Sequence, residues 1–253
     1  AVGRLACADV GEGKLPDEQV LLSYIYRQIR HDKDLTGKKV VVTAGPTVEK
    51  IDPVRFITNH STGKMGYAIA TNAMERGAMV TLISGPVNIE PPMFVNAVNV
   101  TSAKDMYDAV MENLSDCDIL IKAAAVADYT PAAVSNEKMK KKDNDMSIEL
   151  MRTKDILKDV GNAKRDNQVV CGFSMETCNM LENSKKKLVS KKCDMIVANN
   201  LKDEGAGFGV DTNKVTIIME DGVKELELMT KTQVGDRILD EAVTLWKKKN
   251  GGL

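Results

Sequence analysis

The chain has 253 residues, enough for one large domain, and 43% of them are apolar, so it can bury a full core. Acidic and basic residues nearly cancel to a net charge of -1, which excludes a general attraction for nucleic acids or anionic membranes. The five cysteines include no C-x-x-C pair, so neither a disulfide framework nor a zinc site is expected. We expect the protein to reside in a reducing cytoplasm. No apolar run approaches the ~18 residues of a transmembrane helix.

Residues 1–36 differ in pattern from the remainder and are interpreted as a connector. Within residues 18–30, apolar side chains recur at helical spacing, which predicts one helix; they are Leu21, Leu22, Ile25 and Ile29. A polar break at residues 31–34 follows. We therefore expect a main domain at residues 37–253, preceded by the connector at residues 1–36.

From residue 38 onward, short apolar runs alternate with helical patterns. The predicted strands are 39–43, 79–83, 95–100, 118–122, 169–173, 194–198 and 215–219. A helix is predicted over residues 66–76 with Gly77 at its C-terminus, and Ser102 with Asp105 is expected to cap the next helix. This alternation predicts a Rossmann-like α/β domain, a mainly parallel sheet with helices on both faces. Ligands of such sheets bind at the carboxyl ends of the strands.

A Gly-rich segment, NHSTGKMG at residues 59–66, precedes the first of these helices. Gly63 and Gly66 permit close approach of the backbone to a ligand, and the free N–H groups of the helix start favour an anion. Ser61, Thr62 and Lys64 add hydroxyls and a charge. The segment is neither a Walker A loop nor a G-x-G-x-x-G fingerprint. Phosphate binding is the favoured interpretation, and an ordinary helix-capping loop is the alternative.

Small residues follow the predicted strand 118–122, in the segment AAAVADY at residues 123–129. They allow a flat ligand to lie against the backbone, and Asp128 can accept hydrogen bonds from an amine or a hydroxyl. A tightly packed turn with a capping aspartate explains the same pattern equally well.

Three further features have a functional and a structural interpretation. The lysine-rich run at residues 138–143 is typical of a solvated surface loop but suits a lid that brings ammonium groups onto phosphates. Lys187 and Lys191 lie on one face if residues 182–192 are helical. This pair could bind a polyphosphate or could simply form a basic surface. Phe173 and the Asn199-Asn200 pair end predicted strands, where a core or turn role competes with ligand contact. No nucleophile elbow accompanies the two histidines, and no cluster has metal-ligand spacing.

The chain resembles bacterial phosphopantothenate–cysteine ligases over roughly residues 38–248. The resemblance is carried by ordered motifs: TAGPT (43–47), DPVRFITNHSTGKMG (52–66), SGPV (84–87), AAAVADYTP (123–131), EKMKKKD (137–143), TKDIL (153–157), GFSMET (172–177) and DMIVANN (194–200). Residues 3–15 are similar to the tail of the flavin-dependent phosphopantothenoylcysteine decarboxylase, which many bacteria fuse ahead of the ligase. Cys7 matches that family's catalytic cysteine, and without the FMN-binding part it is expected to be idle here. Lys14-Leu15 stands where that family usually has Arg-Met.

The resemblance implies a two-step reaction in coenzyme A biosynthesis. The carboxylate of 4′-phosphopantothenate attacks the α-phosphate of CTP, which gives an acyl-CMP intermediate and pyrophosphate. The amine of L-cysteine then displaces CMP. The resemblance also implies Mg²⁺ that arrives with CTP, no metal ligand from the protein and a homodimer with a shared active site. Physical reasoning alone leaves CTP and ATP undecided.

The resemblance assigns roles to individual residues. Asn59 is expected to hold the acyl intermediate for the second step, and Lys138 to stabilise charge on the phosphates in the first. Arg55 is expected to reach the phosphopantothenate of the neighbouring subunit, and Ala124 and Ala125 to contact substrate. The expected nucleotide contacts are Gly45, Ser61, Gly63, Gly66, Lys122, Ala123, Ala124, Asp128, Lys138, Lys154, Asp155, Ile156, Leu157, Phe173, Lys187 and Lys191. No residue is assigned to cysteine.

Two alternative functions remain at this level. An NAD(P)-dependent oxidoreductase of the same fold class would carry a glycine fingerprint at the first turn, where this chain has TAGPT. A non-catalytic nucleotide-binding module would have no need of Lys138 or Asn59.

Overall fold

Buried, β-branched runs form the centre of the molecule, as in residues 40–42, which are three consecutive valines with at most 3% exposure. The computed structural model describes residues 2–4, 10–12, 15–141, 145–176, 178–200, 205 and 207–252. Cys7, Lys14 and the last two positions of the lysine-rich run, Lys142 and Asp143, lie outside the described residues, as does Thr177.

Six helices and sixteen strands are present in the described part of the chain. The helices are α1 (Glu18–Ile29), α2 (Lys64–Glu75), α3 (Ala103–Leu114), α4 (Ile156–Ala163), α5 (Met180–Ser190) and α6 (Lys231–Lys249). The strands are β1 (Val2–Arg4), β2 (Val10–Glu12), β3 (Lys39–Ala44), β4 (Glu49–Lys50), β5 (Phe56–Ile57), β6 (Met79–Ser84), β7 (Asn96–Asn99), β8 (Ile119–Lys122), β9 (Tyr129–Pro131), β10 (Leu150–Arg152), β11 (Val169–Glu176), β12 (Met195–Asn200), β13 (Thr212–Asn213), β14 (Thr216–Met219), β15 (Gly222–Glu225) and β16 (Met229–Thr230).

The central sheet has eight strands in the order β15-β14-β12-β11-β8-β3-β6-β7. The six strands from β12 to β7 are parallel, and β14 and β15 add antiparallel to one edge. Short hairpins accompany the sheet, among them β4 with β5 and β9 with β10. The mainly parallel sheet follows from the alternation of strands and helices, because a parallel connection needs a crossover.

Two separate cores show that helices cover both faces of the sheet. On one face, β3 packs against α2 and α6 through residues such as Val42, Ile69 and Ile238. On the other face, α3, α4 and α5 contribute residues such as Met106 and Val160. This confirms the predicted Rossmann-like α/β architecture.

Most predicted elements are confirmed, with shifted ends. Helix α2 begins two residues before the predicted start, Gly77 follows it with φ +92°, and Ser102 and Asp105 form the expected capping box. Strand β11 continues to Glu176, so Phe173 lies within this strand and not at its end. Helix α5 ends at Ser190, short of the predicted residue 192, but Lys191 is its C-cap and donates its N–H to the carbonyl of Lys187 at 3.0 Å, so the i,i+4 relation of the two lysines is kept.

The predicted connector helix is present as α1, yet none of its residues is buried. A domain division at residue 36 stays a prediction. Among the described helices, none is both long enough and apolar enough to cross a membrane.

Candidate active site

A crevice forms between β3 and β8 because the chain leaves these two neighbouring strands in opposite directions. From β3 the sheet continues to β6 and β7, and from β8 it continues to β11 and β12. In open parallel sheets, this reversal of strand order leaves room for a ligand at the carboxyl ends of the strands. The segments that follow β3 and β8 therefore face each other across the sheet edge.

Helix α2 begins at the floor of this crevice without a capping side chain. Its N-cap is Gly63, with φ +79°, and no side chain accepts a hydrogen bond from the first turn. Just before it, Asn59 Oδ1 accepts from the N–H of Ser61 at 3.0 Å. The first-turn N–H groups of α2 remain available, and together with the helix dipole they favour an anion.

Gly66 allows α2 to approach β3 closely. A Cβ at this position would lie 2.6 Å from the Cβ of Ala44 and 2.9 Å from the carbonyl oxygen of Thr43. Any side chain here would push the helix start away from the strand. The glycine thus fixes the anion-binding end of α2 against the carboxyl end of β3.

The small-residue segment after β8 is bonded to the turn after β3. Ala125 donates its N–H to the carbonyl of Gly45 at 2.9 Å and accepts from the N–H of Thr47 at 3.2 Å. The buried hydroxyls of Thr43 and Thr47 accept from the N–H groups of Ala124 and Ala127. Because these hydroxyls are hydrogen-bonded, burial of the two threonines leaves no unsatisfied polar group. The same bonds hold the two walls of the crevice together.

The crevice opens into two adjoining compartments. The first, of about 290 Å³, lies over the Gly-rich segment and is bounded further along the chain by Phe208 and Lys231. The second, of about 470 Å³, lies beside α4 and α5. Both are lined by Lys122, Val126, Asp128 and Phe173. A ligand with two polar ends can therefore extend through one continuous cleft.

Six lysines give the cleft a positive character: Lys64 and Lys231 in the first compartment, Lys122 at the junction, and Lys154, Lys187 and Lys191 in the second compartment. Among the described residues, none accepts a hydrogen bond from the Lys122 ammonium. Burial lowers the pKa of Lys122, and the carboxylates of Asp155 and Asp128 offset part of that shift. An anionic ligand at the junction would supply the missing partner.

The three lysines of the second compartment contact other side chains, with which a ligand would have to compete. Lys187 donates to the hydroxyl of Ser174 at 3.0 Å, and Lys191 pairs with Asp155. Burial alone would raise the pKa of Asp155, but hydrogen bonds from Lys191 and from the N–H of Lys158 hold that pKa below its ordinary value. Lys154 lies over the ring of Tyr107, 4.2 Å from its centroid.

Most of the residues expected from the sequence line this cleft. They are Ser61, Gly63, Gly66, Lys122, Ala123, Ala124, Ala125, Asp128, Lys154, Asp155, Ile156, Leu157, Phe173, Lys187 and Lys191. Gly45 and Asn59 lie directly behind the lining, and the amide of Asn59 donates to the carbonyl of Ala125 at 2.6 Å. Their contacts with ligands stay predictions.

Lys138 and Arg55 lie outside the cleft lining. Lys138 is exposed, in the loop between β9 and β10. Arg55 donates to the buried carboxylate of Asp52, at 3.0 Å from Nε, and to the carbonyl of Met139 at 2.9 Å. Asp52 also accepts from the N–H of Met139. The structure thus ties Arg55 to the lysine-rich loop, a link that the sequence does not indicate.

Sequence reasoning missed Lys231 and Phe208, and treated Asn199 only as a weak candidate. All three line the first compartment. A signal for Lys231 was present: Thr230 and Gln233 form a capping box, which places Lys231 at the start of α6. No local pattern around Phe208 or Asn199 distinguishes a cleft wall from a turn.

The chain matches the family model described as DNA/pantothenate metabolism flavoprotein C-terminal domain over residues 35–245. The coenzyme A biosynthesis bifunctional protein CoaBC of Bacillus subtilis is 48% identical over 250 residues, which cover 97% of this chain and 61% of that protein. The chain therefore spans less than two thirds of the length of that relative.

Two solved structures have the same fold. The C-terminal domain of a coenzyme A biosynthesis bifunctional protein CoaBC has a TM-score of 0.74 at 45% identity, covering 86% of this chain and 100% of that one. A Cab2 mutant in complex with phosphopantothenate-cysteine has a TM-score of 0.69 at 15% identity, covering 94% and 96%. Because the family model matches residues 35–245, the chain belongs to the family of the DNA/pantothenate metabolism flavoprotein C-terminal domain.

Proposed function

We propose that this chain is a ligase that joins 4′-phosphopantothenate to L-cysteine in coenzyme A biosynthesis, driven by CTP. The observation that carries the proposal is the two-compartment cleft, in which the Lys122 ammonium, with no hydrogen-bond acceptor among the described residues, lies between the start of α2 and a lysine-rich compartment. Membership in this family and 45% identity to a solved CoaBC C-terminal domain support it.

The reaction has two group transfers. In the first, a carboxylate oxygen of phosphopantothenate bonds to the α-phosphorus of CTP, the bond to the β-phosphate oxygen breaks, and pyrophosphate leaves. In the second, the cysteine nitrogen bonds to the acyl carbon, the bond to the CMP oxygen breaks, and the amine releases a proton. The products are the amide, CMP and pyrophosphate.

Negative charge develops on the leaving pyrophosphate in the first transfer, and preorganised cations stabilise such charge. Lys122 is free to contact phosphate oxygens at the junction of the compartments. Lys187 and Lys191 can turn from Ser174 and Asp155 toward a polyphosphate, since both already line the second compartment. These three lysines would hold the nucleotide before the reaction begins.

Lys138 enters this scheme only if its loop closes over the cleft. Met139 donates its N–H to Asp52 and accepts from Arg55, so movement of the loop would free the Arg55 donor that now contacts Met139 and let Arg55 turn elsewhere. In a homodimer with a shared site, Arg55 would then reach the phosphopantothenate of the neighbouring subunit. Lid closure that completes a charged site is a common way to exclude water from phosphoryl transfer.

Asn59 is proposed to act in the second transfer. Its amide is held between the carbonyl of Ala125 and the N–H of Ser61, so its orientation is fixed before any ligand arrives. A fixed amide donor can stabilise the oxygen of the acyl group as the cysteine amine attacks. The second transfer would depend on Asn59 more than the first.

Mg²⁺ is proposed to enter with the nucleotide. The described residues contain no group of three His, Cys, Asp or Glu side chains that could hold a metal ion. Asp128 and Asp155 are the carboxylates that line the second compartment. Mg²⁺ would be held mainly by phosphate oxygens and water, and it would supply charge neutralisation there.

FMN would belong to a decarboxylase part of a longer protein, of which residues 3–15 would be the tail. A dinucleotide-dependent oxidoreductase is disfavoured, because the turn after β3 does not open directly onto a helix. Instead, β4 and β5 intervene before α2 begins at Lys64. A dinucleotide fold needs its glycine turn and helix start immediately after the first strand.

The proposal is tested by incubating the protein with phosphopantothenate, L-cysteine, Mg²⁺ and either CTP or ATP. We expect equimolar phosphopantothenoylcysteine, CMP and pyrophosphate with CTP, and much slower turnover with ATP. Nucleotide binding without turnover would contradict the proposal and favour a non-catalytic module. Faster reaction with ATP would overturn only the choice of nucleotide.

A further inference from the structure

The segment of residues 207–211 forms one wall of the first compartment, through Gly207 and Phe208. Lys231, the first residue of α6, also lines this compartment but is only 6% exposed, because its side chain packs against the segment 207–211. Its ammonium donates to the carbonyl oxygens of Gly207 at 2.9 Å, Phe208 at 3.2 Å and Val210 at 2.5 Å. An ammonium has three protons, so this one segment uses its full donor capacity.

The same segment also holds the anion-binding end of α2. The hydroxyl of Thr62 donates to the carbonyl of Phe208 at 2.6 Å. Lys64 donates to the carbonyl of Gly209 at 2.9 Å and to the carboxylate of Asp211 at 2.7 Å. The position of the Lys64 ammonium at the start of α2 is therefore set by a segment that Lys231 organises.

Lys64 and Lys231 differ in whether a negative charge offsets their positive charge. Lys64 is paired with Asp211, whereas all the hydrogen bonds of Lys231 within the described part of the chain go to neutral carbonyls. A buried cation without a carboxylate partner is costly, and an anion in the adjoining compartment would reduce that cost. Burial and the nearby charge of Lys64 lower the pKa of Lys231, as expected for such an environment.

We propose that Lys231 is a positioning residue for the ligase reaction. It fixes the wall at residues 207–211, and through Gly209 and Asp211 it places Lys64 where an anionic substrate meets the start of α2. The inference rests on the proposed function, because it needs a turnover assay with two anionic substrates, CTP and phosphopantothenate.

The test compares Lys231→Met and Lys231→Arg with the control Lys33→Met. Lys33 also donates to two backbone carbonyls, those of His31 and Glu75, but does not line the cleft. Loss of three hydrogen bonds from a charged donor should raise the KM of at least one anionic substrate about tenfold in Lys231→Met. The KM of cysteine should stay unchanged, and Lys231→Arg should restore most of the loss.

A second variant keeps the proposal testable if Lys231→Met does not fold. The side chain of Asp211 is 85% exposed, so Asp211→Ala should fold normally. Removal of an acidic group beside an anion site would lower the KM of an anionic substrate if charge alone mattered. A positioning role predicts a higher KM, because Lys64 loses its anchor.

The outcomes separate the two proposals. An inactive wild-type protein overturns the proposed function. An active wild type with unchanged KM values in a folded Lys231→Met variant, or a loss confined to kcat, overturns the positioning role. A lower or unchanged KM in Asp211→Ala does the same.

Discussion

Ala125 in the cleft exchanges backbone hydrogen bonds with Gly45 and Thr47, and two buried threonine hydroxyls reinforce this contact. The loop around Lys138 is exposed, and at Met139 it is attached through Asp52 and Arg55. The first region is held by a network of backbone hydrogen bonds, and the described part of the second is held by a few polar contacts that can break and reform. In the proposed reaction, the preorganised groups of the cleft would bind the nucleotide, and Lys138 would add further positive charge from outside the cleft when its loop closes.

The largest effect is expected from damage to the preorganised region. Gly66→Ala would place a Cβ against the backbone of Thr43, which should cost about 1–3 kcal/mol in stability and displace the start of α2. Calorimetry should show CTP binding weakened by about a hundredfold, which corresponds to the loss of a charge-assisted set of contacts. In the control Gly222→Ala, the added Cβ meets no atom within 4 Å, so binding and stability should be unchanged. Normal CTP affinity in a folded Gly66→Ala variant would contradict the proposed role of the helix start.

The junction of the compartments provides the next test. Burial lowers the pKa of Lys122, so its charge is lost at a lower pH than that of an ordinary lysine as the pH rises. The KM of CTP should therefore rise at alkaline pH. In Lys122→Met it should be about tenfold higher at neutral pH, as for loss of a charged hydrogen bond, with a smaller alkaline rise. The alkaline rise in KM that remains in Lys122→Met would come from Lys231, whose pKa is also lowered. An unchanged pH profile would exclude Lys122 from nucleotide binding.

A smaller effect is expected from loosening the loop at Asp52. Hydrogen bonds from Arg55 and from backbone N–H groups hold the pKa of Asp52 below its ordinary value. Its attachment of Met139 is thus fully present above the ordinary aspartate pKa and is lost as pH falls through the lowered value. Asp52→Asn should speed amide hydrogen exchange at Met139 and slow pyrophosphate release about threefold, as expected for a gating step. Unchanged exchange would show that other contacts hold the loop.

The smallest effect is expected far from both regions. Ser102 caps α3 through the N–H of Asp105. Ser102→Ala should lower the free energy of unfolding by about 1 kcal/mol, the usual value of such a cap. KM and kcat should stay at wild-type values in steady-state assays. A change in KM would show that α3 is coupled to the cleft and would weaken the contrast between the two regions.

The sequence predicts the preorganised region better than the exposed one. Strands such as β3 and β6 consist mainly of apolar residues, and Gly63 stands before α2 at a positive φ, a conformation that favours glycine. The hairpins β4–β5 and β9–β10 are only two or three residues per strand, too short for a periodic signal. The contact between Asp52 and the Lys138 loop joins residues far apart in sequence and depends on these hairpins.

The end of α5 shows why some site geometry lies beyond sequence patterns. Lys192 adopts φ +50°, a conformation usually taken by glycine at the end of a helix. The helix therefore stops at Ser190, and Lys191 reaches Asp155 from the cap position. Both predicted lysines line the second compartment: the N–H of Lys191 still donates to the carbonyl of Lys187, and the ion pair with Asp155 holds the Lys191 side chain.

The most direct test of the contrast between the two regions separates the two transfers. Wild type, Asn59→Asp and Lys138→Gln would be incubated with CTP and phosphopantothenate without cysteine, and acyl-CMP and pyrophosphate would be measured by mass spectrometry. Cysteine would then be added. We expect Asn59→Asp to form acyl-CMP and fail to transfer it, and Lys138→Gln to release little pyrophosphate while it still binds CTP. Normal pyrophosphate release by Lys138→Gln, or a normal rate of transfer to cysteine by Asn59→Asp, would contradict the account.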